Sequence, residues 1–184
     1  GRDAAGHPCL LLNGQPRTMK GGCIHHDLGI LGAADHAAAE RRRIRLMKES
    51  GFDAIRAAHN PFGPAFLDAC DELGMLVVEE AFDEWVMGRT SFGLHVTFEQ
   101  CWEKDLEDMI TRDYNHPCIV MWSTGNEVEE RDGTADGFAW AKRLADKVRS
   151  LDASRPVSAT ACALFSEYGN RPAGGTTGNQ ALNM

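Results

Sequence analysis

The chain has 184 residues, 43% hydrophobic and 25% charged, the composition of an ordinary globular domain with enough apolar mass for a sizeable core. Its 19 Lys and Arg against 27 Asp and Glu give a net charge of -8, and no basic stripe interrupts the acidic balance, which argues against nucleic acid as a partner. No apolar run is long enough to span a bilayer, and the six scattered cysteines form neither a CxxC pair nor a zinc-finger spacing, a weak leaning towards a reducing, cytoplasmic setting.

In chain order, Leu10 to Leu12 and Gln15 to Lys20 flank Asn13-Gly14 and read as a short hairpin. Lys20 to Ile24 reads as a first interior strand that runs into His25-His26-Asp27. A helix is expected from about Asp35 to Ser50, stopped by Gly51, and Ala54 to Ala57 is a second strand closed by His59-Asn60-Pro61. Pro64 opens a helix whose buried stripe is Phe66, Cys70 and Leu73, and Gly74 ends it. The unbroken apolar run Met75 to Val78 predicts a strand buried on both faces, followed by the acidic stretch Glu79-Glu80-Ala81-Phe82-Asp83-Glu84-Trp85. Thr97 and Gln100 have the spacing of a capping box before the stripe Phe98, Trp102, Leu106 and Met109. Ile119 to Trp122 is a fourth strand, and Phe138, Ala141, Ala145 and Val148 form the apolar face of a fourth helix. Pro156 to Thr160 begins a fifth strand, and the Gly-, Thr- and Asn-rich tail from Asn170 to Met184 reads as loop or disorder, which divides the chain at residue 169.

Strand–helix units of roughly 30 residues mean parallel strands under helices, either a barrel or a doubly wound sheet. The first four strands all end in polar clusters, and a closed barrel gathers such ends around one mouth. The expectation is therefore a partial (β/α)8 TIM barrel, the first four to five units, preceded by the hairpin. The chain opens on Gly1 with no initiator Met, as if it came from something longer.

The sharpest chemical signal is Asn126-Glu127, set after an apolar strand ending in an aromatic. Hydrolysis of a glycoside needs a carboxylic acid to protonate the leaving oxygen and a second carboxylate across the ring. A carboxyl walled by Trp122 and an acidic cluster is disfavoured as an anion, so Glu127 is expected to have a raised pKa, as a general acid requires. Asn126 can reach a sugar hydroxyl from beside it. Arg56, with His59 and Asn60, either orients a carboxylate or hydroxyl with its fork of donors or is ion-paired for structure alone. His25-His26-Asp27 also admits a catalytic metal, with Glu84 or His59 as further ligands, although adjacent residues of an extended segment point to opposite faces. Trp85, after the acidic stretch, suits a platform for a pyranose ring.

These motifs resemble one family. The run Asn115-His116-Pro117-Cys118-Ile119-Val120-Met121-Trp122-Ser123-Thr124-Gly125-Asn126-Glu127 resembles the acid/base signature of glycoside hydrolase family 2, which includes β-galactosidases, β-glucuronidases and β-mannosidases. Lys20 to Asp27 resembles the family's first-strand motif, Ile55 to Pro61 its second and Glu80 to Trp85 its third. The resemblance implies a retaining double displacement on a terminal β-linked sugar, galactose above all, with Glu127 as acid/base and Asn126 on the 2-hydroxyl. Arg56, His59 and His25 would line the sugar pocket, with Glu80 and Glu84 near its floor. No cofactor is required, although Mg²⁺ near Glu84 is allowed for in a full-length parent. The family's nucleophile is a Glu on the seventh strand, beyond this chain, and the parent is expected to be multidomain and open to homo-oligomer formation. Two rivals stay open: a metal-dependent hydrolase barrel, and a sugar-binding fragment without catalysis. The chain departs from the family pattern at Gly22, Ala57-Ala58, Glu79 and Tyr114.

Overall fold

A computed structural model describes residues 1–160; the tail from Asn170, and Cys162, lie outside the described residues. Strands β1 (Leu10–Leu12) and β2 (Gln15–Arg17) pair antiparallel across Asn13-Gly14, both at positive φ, the geometry that matches the twist of a two-residue hairpin. Thereafter β3 (Gly21–Ile24), α1 (Ala37–Glu49), β4 (Ala54–Ala57), α2 (Pro64–Leu73), β5 (Leu76–Glu80), α3 (Phe98–Asp113), β6 (Ile119–Asn126), α4 (Gly137–Leu151) and β7 (Val157–Thr160) alternate. Gly74, left-handed at φ 67°, terminates α2 where a side chain would be strained.

The topology decides between the two candidate architectures. Strands β3 to β7 are parallel throughout and lie side by side in sequence order. Each crossover is expected to be right-handed, and stepping always in one direction puts every helix on the same face. A doubly wound sheet reverses its strand order at a switch point, and none occurs among the described residues. The sheet is an arc of five barrel staves.

The helices bury one face of that arc. Ile44, Phe66, Leu67 and Cys70 pack on Ile55, Ala57 and Val77, while Phe98, Leu106, Met109, Trp140 and Val148 complete the cluster further along. Phe98 and Trp102 both meet Trp140 edge to face, at 5.2 and 5.7 Å between ring centroids. Here the expected stripe of α4 is corrected: Trp140 and Leu144 are buried with Ala141, Ala145 and Val148, whereas Phe138 is only half-buried. The capping box is also absent, because residues 94–96 form a 3₁₀ turn directly before α3. That turn leaves the Thr97 hydroxyl donating back to the Leu94 carbonyl at 3.5 Å.

Two strands run further than their apolar segments. The fully buried run expected at Met75 to Val78 is instead β5 over Leu76–Glu80, with burial that alternates. Val77 and Glu79 face the helices, and Leu76, Val78 and Glu80 face the other side, so the strand carries two acids in its last two positions. Strand β6 continues past Trp122 to Asn126 and is clamped at its start and its middle. At its start, Asp71 on α2 accepts the Cys118 N–H at 2.8 Å and pairs with His116 Nδ1 at 2.6 Å. At its middle, Trp122 Nε1 donates to the buried Asp152 at 2.8 Å, and Arg155 bridges Asp152 to the Ile119 carbonyl. Asp71, His116 and Cys118 have the chemistry of metal ligands, but both oxygens of Asp71 are already engaged. Burial, reinforced by the bond to Asp71, also pushes the Cys118 thiol far above its usual range, and through Asp71 the trio ties α2 to the start of β6.

Candidate active site

The strand ends at one rim of the sheet bring four of the expected residues into a single hydrogen-bonded network. At its centre is Glu80, the last residue of β5, with no exposed surface. Arg56, on the neighbouring β4, donates Nε to Glu80 Oε2 at 3.0 Å and Nη2 to both carboxylate oxygens at 2.7 Å. His59 Nδ1 lies 2.7 Å from Glu80 Oε1, and the Ser123 hydroxyl donates to Oε2 at 2.7 Å. The charge is thus buried with its partners, the condition under which burial is tolerated. Desolvation works to lower the Arg56 pKa, but the bonds to Glu80 outweigh it and hold the guanidinium firmly charged.

Arg56 reaches across to β6 as well, where Nη2 donates to Asn126 Oδ1 at 2.8 Å. The Asn126 amide donates in turn to Asp83 Oδ1 at 2.9 Å. The orientation of Asn126 depends on an irregularity of the sheet. A regular strand would put Ser123 and Gly125 on one face; the register between β6 and β7 shifts between Ser123 and Asn126. Both side chains therefore point into the network, as a bulge allows.

Glu127 follows at once. Its N–H still pairs with the Thr160 carbonyl of β7 at 2.7 Å, while its φ of 44° is left-handed. A non-glycine residue there costs about 1 kcal/mol, a strain concentrated at working sites. The turn swings the carboxylate out of the sheet, and its side chain is 53% exposed. This corrects the expected environment: Trp122 is buried on the helix side against Asp152 and does not wall Glu127.

The remaining expected residues fare differently. His25 joins the group, its ring 4.9 Å from that of His59, edge to face. His26 turns the other way, stacked on Phe62 with Nε2 3.2 Å from the Asn60 carbonyl oxygen, so the paired histidines do not converge on a metal. Trp85 is not a platform: it is 2% exposed, and Nε1 donates to the Thr124 carbonyl at 2.8 Å, so it props β6 from beneath. Glu84 is not at the floor with Glu80. Its carboxylate accepts the N–H of Arg89 at 3.0 Å and of His95 at 3.2 Å, folding residues 86–96 onto the strand end. Burial raises its pKa, but those N–H groups and the His95 ring outweigh burial and hold it below the usual carboxylate range. A Mg²⁺ ion beside Glu84 would share a carboxylate that already accepts one backbone N–H on each oxygen.

Asp83, Ser123 and Arg89 belong to the site, and local sequence patterns did not single them out. Asp83 was visible only as one acid among four, and Ser123 as one small residue in a strand. Arg89 sits in a loop with no period at all.

The chain matches the family model for glycosyl hydrolases family 2, TIM barrel domain, over residues 6–168. Among curated proteins it is 38% identical over 178 residues to a β-galactosidase of Bacteroides ovatus, covering 80% of this chain and 21% of that protein. It is also 38% identical over 133 residues to a putative β-glucuronidase of Formosa agariphila, covering 72% of this chain and 13% of that protein. A crystal structure of a family 2 member from Bacteroides cellulosilyticus superposes with a TM-score of 0.81 at 45% identity, covering 85% of this chain and 20% of that one. The chain thus spans about a fifth or less of the length of these relatives.

Proposed function

The chain belongs to family 2 of the glycosyl hydrolases and lies in that family's TIM barrel domain, and on that premise we propose that it carries the acid/base side of a retaining β-glycosidase site. The observation that carries the reading is the chain of contacts Glu80–Arg56–Asn126, ending one residue from a strained Glu127 that projects from the rim. The longer protein would hydrolyse terminal β-galactosides.

The work divides by environment. Glu80 is fully buried and saturated with donors, so it serves as an anchor: it holds Arg56, His59 and Ser123 in place. Arg56 fixes Asn126 by its carbonyl oxygen and Asp83 fixes it by its amide, which presents Asn126 to the sugar 2-hydroxyl. His59 and His25 edge the same space. Glu127, exposed at the rim, protonates the glycosidic oxygen as the bond from the anomeric carbon breaks. In the second half it takes a proton from the water that releases the sugar from the nucleophile. The nucleophile is a Glu outside these residues by the family pattern. The chemistry uses carboxyl groups and needs no cofactor, and the partners are the sugar substrate and the remaining domains, not nucleic acid or membrane.

Glu127→Gln in the longer enzyme tests the assignment. The amide keeps the shape but cannot give a proton, so turnover of an unactivated disaccharide should fall about 10²–10⁴-fold. Aryl glycosides with good leaving groups should suffer least in the first step. Full turnover of the disaccharide by the variant would end the acid/base reading.

A further inference from the structure

Arg89 stands outside every motif quoted above, yet its guanidinium lies closer to Glu127 than sequence distance suggests. Glu84 sets its position. One carboxylate oxygen accepts the Arg89 N–H and the other the His95 N–H, so the loop of residues 86–96 is wound around a single buried acid. A Cβ added at Gly93 would fall 1.8 Å from Glu84 Oε1, so only glycine lets the loop close this tightly on the carboxylate. From that base the Arg89 side chain reaches back over the strand ends. Nη2 donates to the Asp83 carbonyl at 2.7 Å and also to Asp83 Oδ1, the oxygen that accepts from Asn126. With Nη2 engaged there, Nη1 faces Glu127 Oε2 at 4.0 Å.

We propose that Arg89 is a positioning residue for proton transfer, stabilising the carboxylate that Glu127 becomes when it gives its proton to the leaving oxygen. The inference rests on the acid/base reading of Glu127. As the C1–O bond breaks, the proton passes from the Glu127 carboxyl to the departing oxygen, and the negative charge left on Glu127 forms beside a cation already in place. The stabilisation grows with proton transfer. It is therefore absent for leaving groups that depart as stable anions without a proton, and greatest for sugars and alcohols. Asp83 neutralises part of the Arg89 charge, and the side chain is 28% exposed. The effect should accordingly fall short of the roughly 10²–10³-fold seen for a donor fixed on a reacting oxyanion, and about tenfold is expected.

The experiment uses the full-length enzyme and aryl β-glycosides of the sugar it accepts, galactose first, from dinitrophenyl through phenyl to an unactivated disaccharide. Arg89→Ala, Arg89→Gln, Arg89→Lys and Glu127→Gln are compared by kcat/KM. Arg89→Gln keeps a donor for the Asp83 carbonyl without the charge and covers the case in which the alanine variant folds badly. Both uncharged variants should lose about tenfold on phenyl glycoside and disaccharide, almost nothing on the dinitrophenyl glycoside, and leave KM nearly unchanged; lysine should restore most of the loss. Adding Arg89→Gln to Glu127→Gln should cost nothing further, because no carboxylate then forms. A loss equal across all leaving groups, or one carried by KM alone, overturns the inference while Glu127→Gln still shows its own leaving-group dependence. If Glu127→Gln shows none, the acid/base reading has failed and this inference falls with it.

Discussion

Arg56→Ala tests whether the network is held together as the geometry requires. The guanidinium gives Glu80 three of its charge-assisted contacts and gives Asn126 one. Without it the fully buried Glu80 keeps, among the described residues, His59 and Ser123. Breaking a buried pair from one side costs about 3–5 kcal/mol, and because two partners survive here, the lower end, about 3 kcal/mol, is expected. Removing both charges with Arg56→Met and Glu80→Leu should recover most of that, since no uncompensated carboxylate is left. Arg56→Lys keeps a cation but loses the fork, so it should regain much of the stability without regaining catalysis. The assay is unfolding of the intact protein by tryptophan fluorescence, with kcat/KM on an aryl glycoside alongside. An Arg56→Ala variant within 1 kcal/mol of the parent protein, or a double variant as unstable as the sum of the singles, would refute the account.

Glu79 Oε2 is buried with no hydrogen-bond partner among the described residues, and burial pushes its pKa well above the ordinary value, so the folded protein retains a proton that the unfolded chain releases above about pH 4. Native stability is therefore lost as pH rises from there towards the raised pKa. The thermal advantage of Glu79→Gln over the parent should widen across that window, and a constant gap would contradict this. Asp152 has the opposite sign: burial raises its pKa, but Ser154, Arg155 and Trp122 outweigh burial and hold it low. Asp152→Asn should cost about 2–4 kcal/mol near neutrality. The difference in melting temperature should close as pH falls below about 4, where the wild-type contribution is itself lost. The 184-residue chain assayed alone should not turn over an aryl β-galactoside, because a retaining mechanism needs a second carboxyl about 5 Å from Glu127. Turnover abolished by Glu127→Gln in that same chain would place the nucleophile within it.

The staves and their order of appearance are legible in local residue patterns alone. Asn13-Gly14 marked the hairpin, Ala54 to Ala57 was bounded correctly between Gly51 and His59, and Pro64 and Gly74 bracketed α2 to the residue. These are local signals: a turn that only certain residues can adopt, and a period of apolar residues along one helix face. Polar strand ends were legible too, and they pointed correctly to a single rim where Arg56, His59, Glu80 and Asn126 now meet.

Which way each side chain faces was decided only by the tertiary structure. Glu79 and Glu80 are adjacent acids of one kind, yet Glu79 faces the helices, with one oxygen on the Phe62 N–H, and Glu80 anchors the site, because a strand alternates its faces. The register shift that turns Asn126 inward, and the left-handed turn that projects Glu127, arise from pairing with β7. Trp85 and Glu84 have the right chemistry for a sugar site but are consumed in supporting β6 and the loop of residues 86–96. Arg89 reaches Glu127 only because that loop folds back on Glu84. Propensity and spacing act over a few residues, whereas register, burial and charge pairing are set by partners tens of residues away, and those contacts exist only once the chain has folded.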